Sequence, residues 1–162
     1  MSVLQQPRIA AARRRPRVPQ AGGRWLELVL LGLWAMYFSI VAVSNAINLL
    51  DVFGVLHWRL LDSTNFEFMR SIVKVYGLNV TETKLLLSGA LVAEIVAAVL
   101  FVRVLFGRGR ALVALSFGAF VWTAFTFMCE LFLAYTTEGP FRDLLMLTIG
   151  TALVVALVPD DA

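Results

Sequence analysis

Residues 28–50, LVLLGLWAMYFSIVAVSNAINLL, decide the fold, because this run of 23 residues holds no charged side chain. As a helix rising about 1.5 Å per residue it crosses a hydrocarbon layer of about 30 Å. A backbone in lipid must satisfy its own hydrogen bonds, which makes the run a helix. An arginine-rich lead followed by apolar residues also fits a signal peptide, with Ala42-Val43-Ser44 as a small-residue cleavage point. The run outlasts a usual signal core, so it is read as a retained span.

On its N-terminal side, residues 1–24 carry Arg8, Arg13, Arg14, Arg15, Arg17 and Arg24 together with Pro7, Pro16 and Pro19. With no apolar face to bury, this arm is expected to be disordered and cytoplasmic. Arg13, Arg14, Arg15, Arg17 and Arg24 are expected to meet the anionic lipid surface, each contributing roughly 1 kcal/mol. The basic residues do not form a groove-sized patch, and nucleic acid is not an expected partner.

On the C-terminal side, three more apolar runs follow, at about 85–106, 111–135 and 141–158, before an acidic tail at 159–162. The 34-residue segment from Asp51 to Lys84 separates the first two spans. Within it Thr64 and Glu67 have capping-box spacing, Phe66, Met69, Val73 and Tyr76 recur at helical intervals, and Gly77 is placed to stop the helix. A short external amphipathic helix is expected there, lying on the membrane or covering the end of the bundle. Thr81 is read as the N-cap of the second span. Gly107 to Arg110 and Thr136 to Pro140 are read as tight turns between antiparallel neighbours. The fold class is therefore all-α: a four-helix transmembrane bundle, residues 25–158, with one external helix between spans 1 and 2.

The chain as a whole agrees: over 162 residues 60% are hydrophobic and 15% charged, with mean hydropathy +0.82, which excludes a soluble enzyme of average composition. A single cysteine, Cys129, cannot form an internal disulfide, and a single histidine, His57, cannot supply paired haem ligands or a multi-histidine metal centre. His57 next to Trp58 is read as a solvated interfacial residue. No cofactor, metal site or catalytic constellation is expected. With the N-terminus inside, nine of the 14 basic residues fall on the cytoplasmic side, so both termini are expected in the cytoplasm of a bacterial plasma membrane.

Ionisable side chains within the spans are the costly residues and the functional candidates. Glu94 falls near the middle of the second span and is expected to be mostly neutral at physiological pH. Glu130 lies near the outer end of the third span. Asn45 and Asn48 stand at the outer end of the first, and Arg142 opens the fourth. Alternating topology brings all five to one side of the membrane, where Glu130 and Arg142 are expected to pair. Thr123 and Thr126 extend a polar strip to Glu130, although threonine hydroxyls can return to their own backbone. Gly89, Ala93 and Ala97, and likewise Ala152 and Ala156, have the four-residue spacing that permits close helix contact.

The order of short motifs resembles an uncharacterised bacterial family of predicted small integral membrane proteins with four spans. They are Tyr37-Phe38 through Asn45, Leu61-Asp62-Ser63-Thr64, Ala93-Glu94-Ile95-Val96-Ala97, Cys129-Glu130-Leu131-Phe132 and Gly139-Pro140-Phe141-Arg142. The resemblance covers about residues 28–158 and implies weight on Asn45, Glu94, Glu130 and Arg142 without implying a reaction. The expected function is a non-catalytic accessory or stabilising subunit of a membrane complex, bound to the bilayer and to other membrane chains or to itself. The alternative is a proton- or ion-coupled transport component using Glu94 and Glu130.

Overall fold

Helix ends explain the chain's layout, and three of them close in the same way. At the first, the Gly54 N–H donates to the Asp51 carbonyl (2.8 Å) and the Val55 N–H to that of Leu50 (2.9 Å). The same bond pair recurs with Gly107 to Val104 and Arg108 to Arg103, and with Leu133 to Glu130 and Ala134 to Cys129. This is the left-handed C-terminal closure, which satisfies two orphan carbonyls and requires a positive φ. Gly54 and Gly107 supply it at 72° and 67°, whereas Leu133 adopts 57° with a side chain present.

The computed structural model describes residues 21–56 and 63–157. In chain order these form α1 (Ala21–Val52), α2 (Asn65–Val73) with a single 3-10 turn at Lys74–Tyr76, α3 (Val80–Leu105), α4 (Ala111–Leu131) and α5 (Tyr135–Leu157). There is no strand among the described residues. α1, α3, α4 and α5 are long and apolar enough to cross a membrane, their most apolar windows having mean hydropathies between 1.6 and 2.5. Large apolar side chains remain exposed along all four, including Leu33, Met36, Val92, Phe120, Phe127, Met146 and Leu153. Such a surface suits lipid. The chain is an all-helical bundle of an integral membrane type.

Several boundaries differ from those expected. α1 starts at Ala21, so the last residues assigned to the arm are helical; residues 1–20, including Arg13, Arg14, Arg15 and Arg17, lie outside the described part, as do His57, Trp58 and the acidic tail. α3 begins five residues early because its N-cap is Asn79, not Thr81. Asn79 accepts from the Glu82 N–H (3.0 Å) and the Glu82 carboxylate accepts from the Asn79 N–H (2.7 Å). The reciprocal box thus sits here, while Thr64 before α2 makes no side-chain cap bond. Gly77 ends the external segment at φ 68°, as its placement suggested. The turn expected at Thr136 to Pro140 is instead the left-handed closure at Leu133, and Pro140 lies inside α5. It stands at the sixth position of that helix on an exposed side, where it leaves the Thr136 carbonyl without its helical N–H partner.

α1 lies antiparallel along α3 and α4 along α5, and the two pairs meet mainly through α3 and α4. The interior between the pairs is filled by rings. Phe101 of α3, Phe38 of α1, Trp122 of α4 and Phe141 of α5 form a near-parallel column, with successive interplanar angles of 15°, 19° and 17°. Gly118 makes room for it: a Cβ there would stand 3.5 Å from ring carbons of both Phe38 and Phe101. Trp34 flanks the column and its Nε1–H donates to Thr151 Oγ1 (3.1 Å), joining α1 to α5. Of the small-residue pattern, Ala97 is fully buried and Ala93 and Ala152 pack on this core, whereas Gly89 and Ala156 are exposed.

Candidate functional site

About two helical turns from the Phe38–Phe101 contact, towards the end that carries α2, the same two helices meet again through polar groups. Asn45 Nδ2 donates to Glu94 Oε2 at 2.7 Å. The matching seven-residue steps, 38 to 45 up α1 and 101 to 94 down α3, are what antiparallel neighbours require. Glu94 is 2% exposed, Asn45 4% and Asn48 3%. By helical rise Glu94 stands roughly 21 Å from the start of α3 and 17 Å from its end, deep in the apolar layer. Tyr37, two turns before Asn45 on the same face of α1, is near enough for the carboxylate's charge to act on its phenol.

The asparagines then connect this pair to α2. Asn65 Nδ2 donates to Asn45 Oδ1, and the Phe66 backbone N–H donates to Asn48 Oδ1 at 2.9 Å. Two first-turn groups of α2 are therefore held by side chains of α1, in place of the missing Thr64 cap. Phe66 is buried beside Leu49 and Leu87, which fixes the start of α2 over the α1–α3 seam. At the other end of the segment the Tyr76 hydroxyl donates to the Leu131 carbonyl (2.8 Å) and its ring meets Phe132. Lys84 donates to the Val52 carbonyl (3.1 Å) at the C-terminus of α1, with its ammonium 4.6 Å from the Phe53 ring centre.

Of the five site candidates, Asn45, Asn48 and Glu94 are brought together and Glu130 and Arg142 are not part of that group. Arg142 pairs with Glu138 at 3.5 Å, one turn back on its own helix. Arg142 thus makes its ion pair with Glu138 and not, as expected, directly with Glu130, but Glu130 stands beside Glu138 with the Arg142 charge also acting on it, so the three groups form one cluster at the α4–α5 corner. Glu130 is exposed at the end of α4 beside Glu138. The threonine strip is also discontinuous: Thr123 donates to the Ala119 carbonyl (2.8 Å), while Thr126 Oγ1 is buried without a partner. Cys129 is buried, its Sγ 3.5 Å from Thr137 Oγ1.

Sequence reasoning missed Asn65 and Tyr37. Asn65 looked like an ordinary first-turn residue, and only its position after Ser63-Thr64 marked it as a polar group at a helix start. Among the described residues no group of three or more His, Cys, Asp and Glu side chains is placed to hold a metal ion. No family model, curated protein or solved structure matches this chain.

Chemically, the arrangement is a buried carboxyl in a line of amphoteric amides that reaches the external helix. Glu94 accepts or donates according to its protonation, and each asparagine amide can present either its oxygen or its NH2. The line can therefore carry a change in one proton as a change in hydrogen-bond direction.

Proposed function

We propose that this chain is a non-catalytic component of a membrane assembly whose Glu94 binds and releases a proton from the side bearing α2. The supporting observation is the Glu94–Asn45–Asn65 line, which joins a carboxyl deep in the apolar layer to the external helix. An intramembrane acid with a polar route to one face is the usual element of proton coupling. The charge bias of the sequence supports an orientation with α2 outside and both termini inside a bacterial plasma membrane. Impermeant thiol labelling of intact cells, in a Cys129→Ser background, should then reach a cysteine at Ser71 and spare one at Arg108; the reverse pattern would invert the chain.

The decisive experiment is difference infrared spectroscopy of the full chain in lipid. The expected result is a protonated-carboxyl band that titrates with pH and is lost in Glu94→Gln. A spectrum with no titrating band assignable to Glu94 would overturn the reading.

A second reading, an accessory subunit that only stabilises its partners, is favoured by α5. This helix is covered by α4 and the Trp34–Thr151 bond, while Met146, Leu147, Gly150 and Leu153 stay exposed. Gentle detergent extraction should then yield a particle containing other chains and well above 17.9 kDa of protein. A lone monomer across several detergents would count against both association and this second role.

A further inference from the structure

The outer side of the α3–α4 seam is not smooth. A groove of about 440 Å³ opens there, lined by Leu100 of α3 and by Leu112, Val113, Ser116, Phe117 and Phe120 of α4. The α4 residues recur at the one-, three- and four-residue steps of a single helix face, which runs about 12 Å from Leu112 to Phe120. The lining is apolar apart from Ser116, which is exposed and whose hydroxyl bonds to no described residue.

One end of this groove is basic. Arg103 stands one turn beyond Leu100 on the same face of α3, and the closure of that helix brings the Arg108 N–H onto the Arg103 carbonyl (2.8 Å). Arg110 is the N-cap residue of α4, one turn before Val113, whose N–H donates to the Arg110 carbonyl (3.1 Å). All three arginines are exposed, and none forms an ion pair with a described residue. Because α4 starts without a side-chain cap bond, its first N–H groups add partial positive charge to the same corner. The described charges at this end of the bundle are Arg24, Glu27, Arg103, Arg108 and Arg110, four positive against one negative.

We infer that the groove and its basic corner hold one anionic phospholipid, with an acyl chain along Ser116 and Phe120 and the phosphate among Arg103, Arg108 and Arg110. The two halves call for the same molecule. An apolar groove between spanning helices takes up hydrocarbon, and a cluster of guanidinium groups at its mouth selects the charge of the headgroup. A zwitterionic lipid fills the groove but brings its own cation to the arginines; a soluble phosphate meets the arginines but leaves the groove empty. Long arginine side chains reach from the helix ends to the headgroup level, while Ser116, further in, offers a donor to an ester carbonyl. This site is independent of the proton reading of Glu94, whose partner lies on α1.

The test is native mass spectrometry of the full chain released from detergent micelles that hold equal amounts of phosphatidylglycerol and phosphatidylcholine with the same acyl chains. One phosphatidylglycerol should stay bound, preferred by about tenfold or more, since each arginine near an anionic headgroup contributes close to fivefold. Arg103→Gln, Arg108→Gln and Arg110→Gln made together should abolish the preference. Ser116→Trp, which fills the groove from an exposed position, should lower retention of both lipids with the arginines intact. Arg13→Gln, Arg14→Gln, Arg15→Gln and Arg17→Gln made together should leave the preference in place. A phosphatidylglycerol with a photoreactive acyl chain locates the site without any substitution, and its crosslinks should concentrate in the peptide covering residues 112–120. Equal retention of the two lipids would overturn the site, as would a preference that disappears with the arm arginines or crosslinks spread evenly over the outer faces of the four spanning helices. A preference that survives Ser116→Trp would reduce the corner to a headgroup attraction and overturn the groove. A retained pair of chains without lipid would put a second copy in the groove and overturn the lipid.

Discussion

Asn45 uses both ends of one amide, the NH2 on Glu94 of α3 and the oxygen on Asn65 of α2. Removing either member of the Asn45–Glu94 pair strands the other in an apolar layer, so the two substitutions are not independent. Asn45→Leu and Glu94→Leu should each destabilise the bundle, and the double variant should lose less than the sum, by a coupling of about 0.5–2 kcal/mol. Thermal unfolding of the three variants in one detergent measures it; strictly additive losses would mean that the bond contributes nothing. The contrast with Arg142 is instructive. Its side chain is 66% exposed and its partner Glu138 lies one turn away. An exposed pair of that kind contributes little, in the range of a few tenths of a kcal/mol.

Among the elements, the α4–α5 connection is the strained one. Its closure has the two bonds of the glycine-ended helices α1 and α3, yet the left-handed position holds Leu133. An L side chain there costs about 1–2 kcal/mol, and Gly removes that strain while adding chain entropy of about 0.5–1 kcal/mol to the unfolded state. Leu133→Gly should therefore leave stability unchanged or raise it slightly. Leu133→Val, with a β-branched side chain at positive φ, should lower it by about 1 kcal/mol. Denaturation of both variants under the same conditions checks the ordering. A loss with Gly as large as that with Val would show that Leu133 is kept for a contact and not in spite of its backbone.

For the whole molecule, the ring column is the feature to which all four spanning helices contribute. Hydrophobic transfer adds little between helices in lipid, so the column stabilises through close packing. Phe38 is fully buried between Phe101 and Trp122, at centroid distances of 5.6 and 5.0 Å. Phe38→Ala should cost about 1–3 kcal/mol, lower than in a water-soluble core because the transfer part is missing. Since the gap opens between the two helix pairs, unfolding should also broaden, which circular dichroism with temperature would reveal. An unchanged midpoint and width would mean that the pairs are held together elsewhere.

The sequence by itself determined the helical class, the number of spanning helices and the presence of an external helix ending at Gly77. Those follow from run length, charge placement and turn chemistry, which are local properties of the chain. It also singled out Asn45, Asn48 and Glu94 as costly residues, because a polar group in an apolar run is conspicuous without any structure. Only the tertiary structure decided which costly residue meets which. Glu130 and Arg142 looked like partners from their distance along the chain, but the ion pair of Arg142 is with Glu138 on its own helix, and Glu130 joins that pair from the end of α4. Asn65 was invisible as a site residue because its partner lies twenty positions away on another helix. Helix rotation, register and the exact ends of turns set such pairings, and one residue of shift turns a side chain by about 100° around its helix axis.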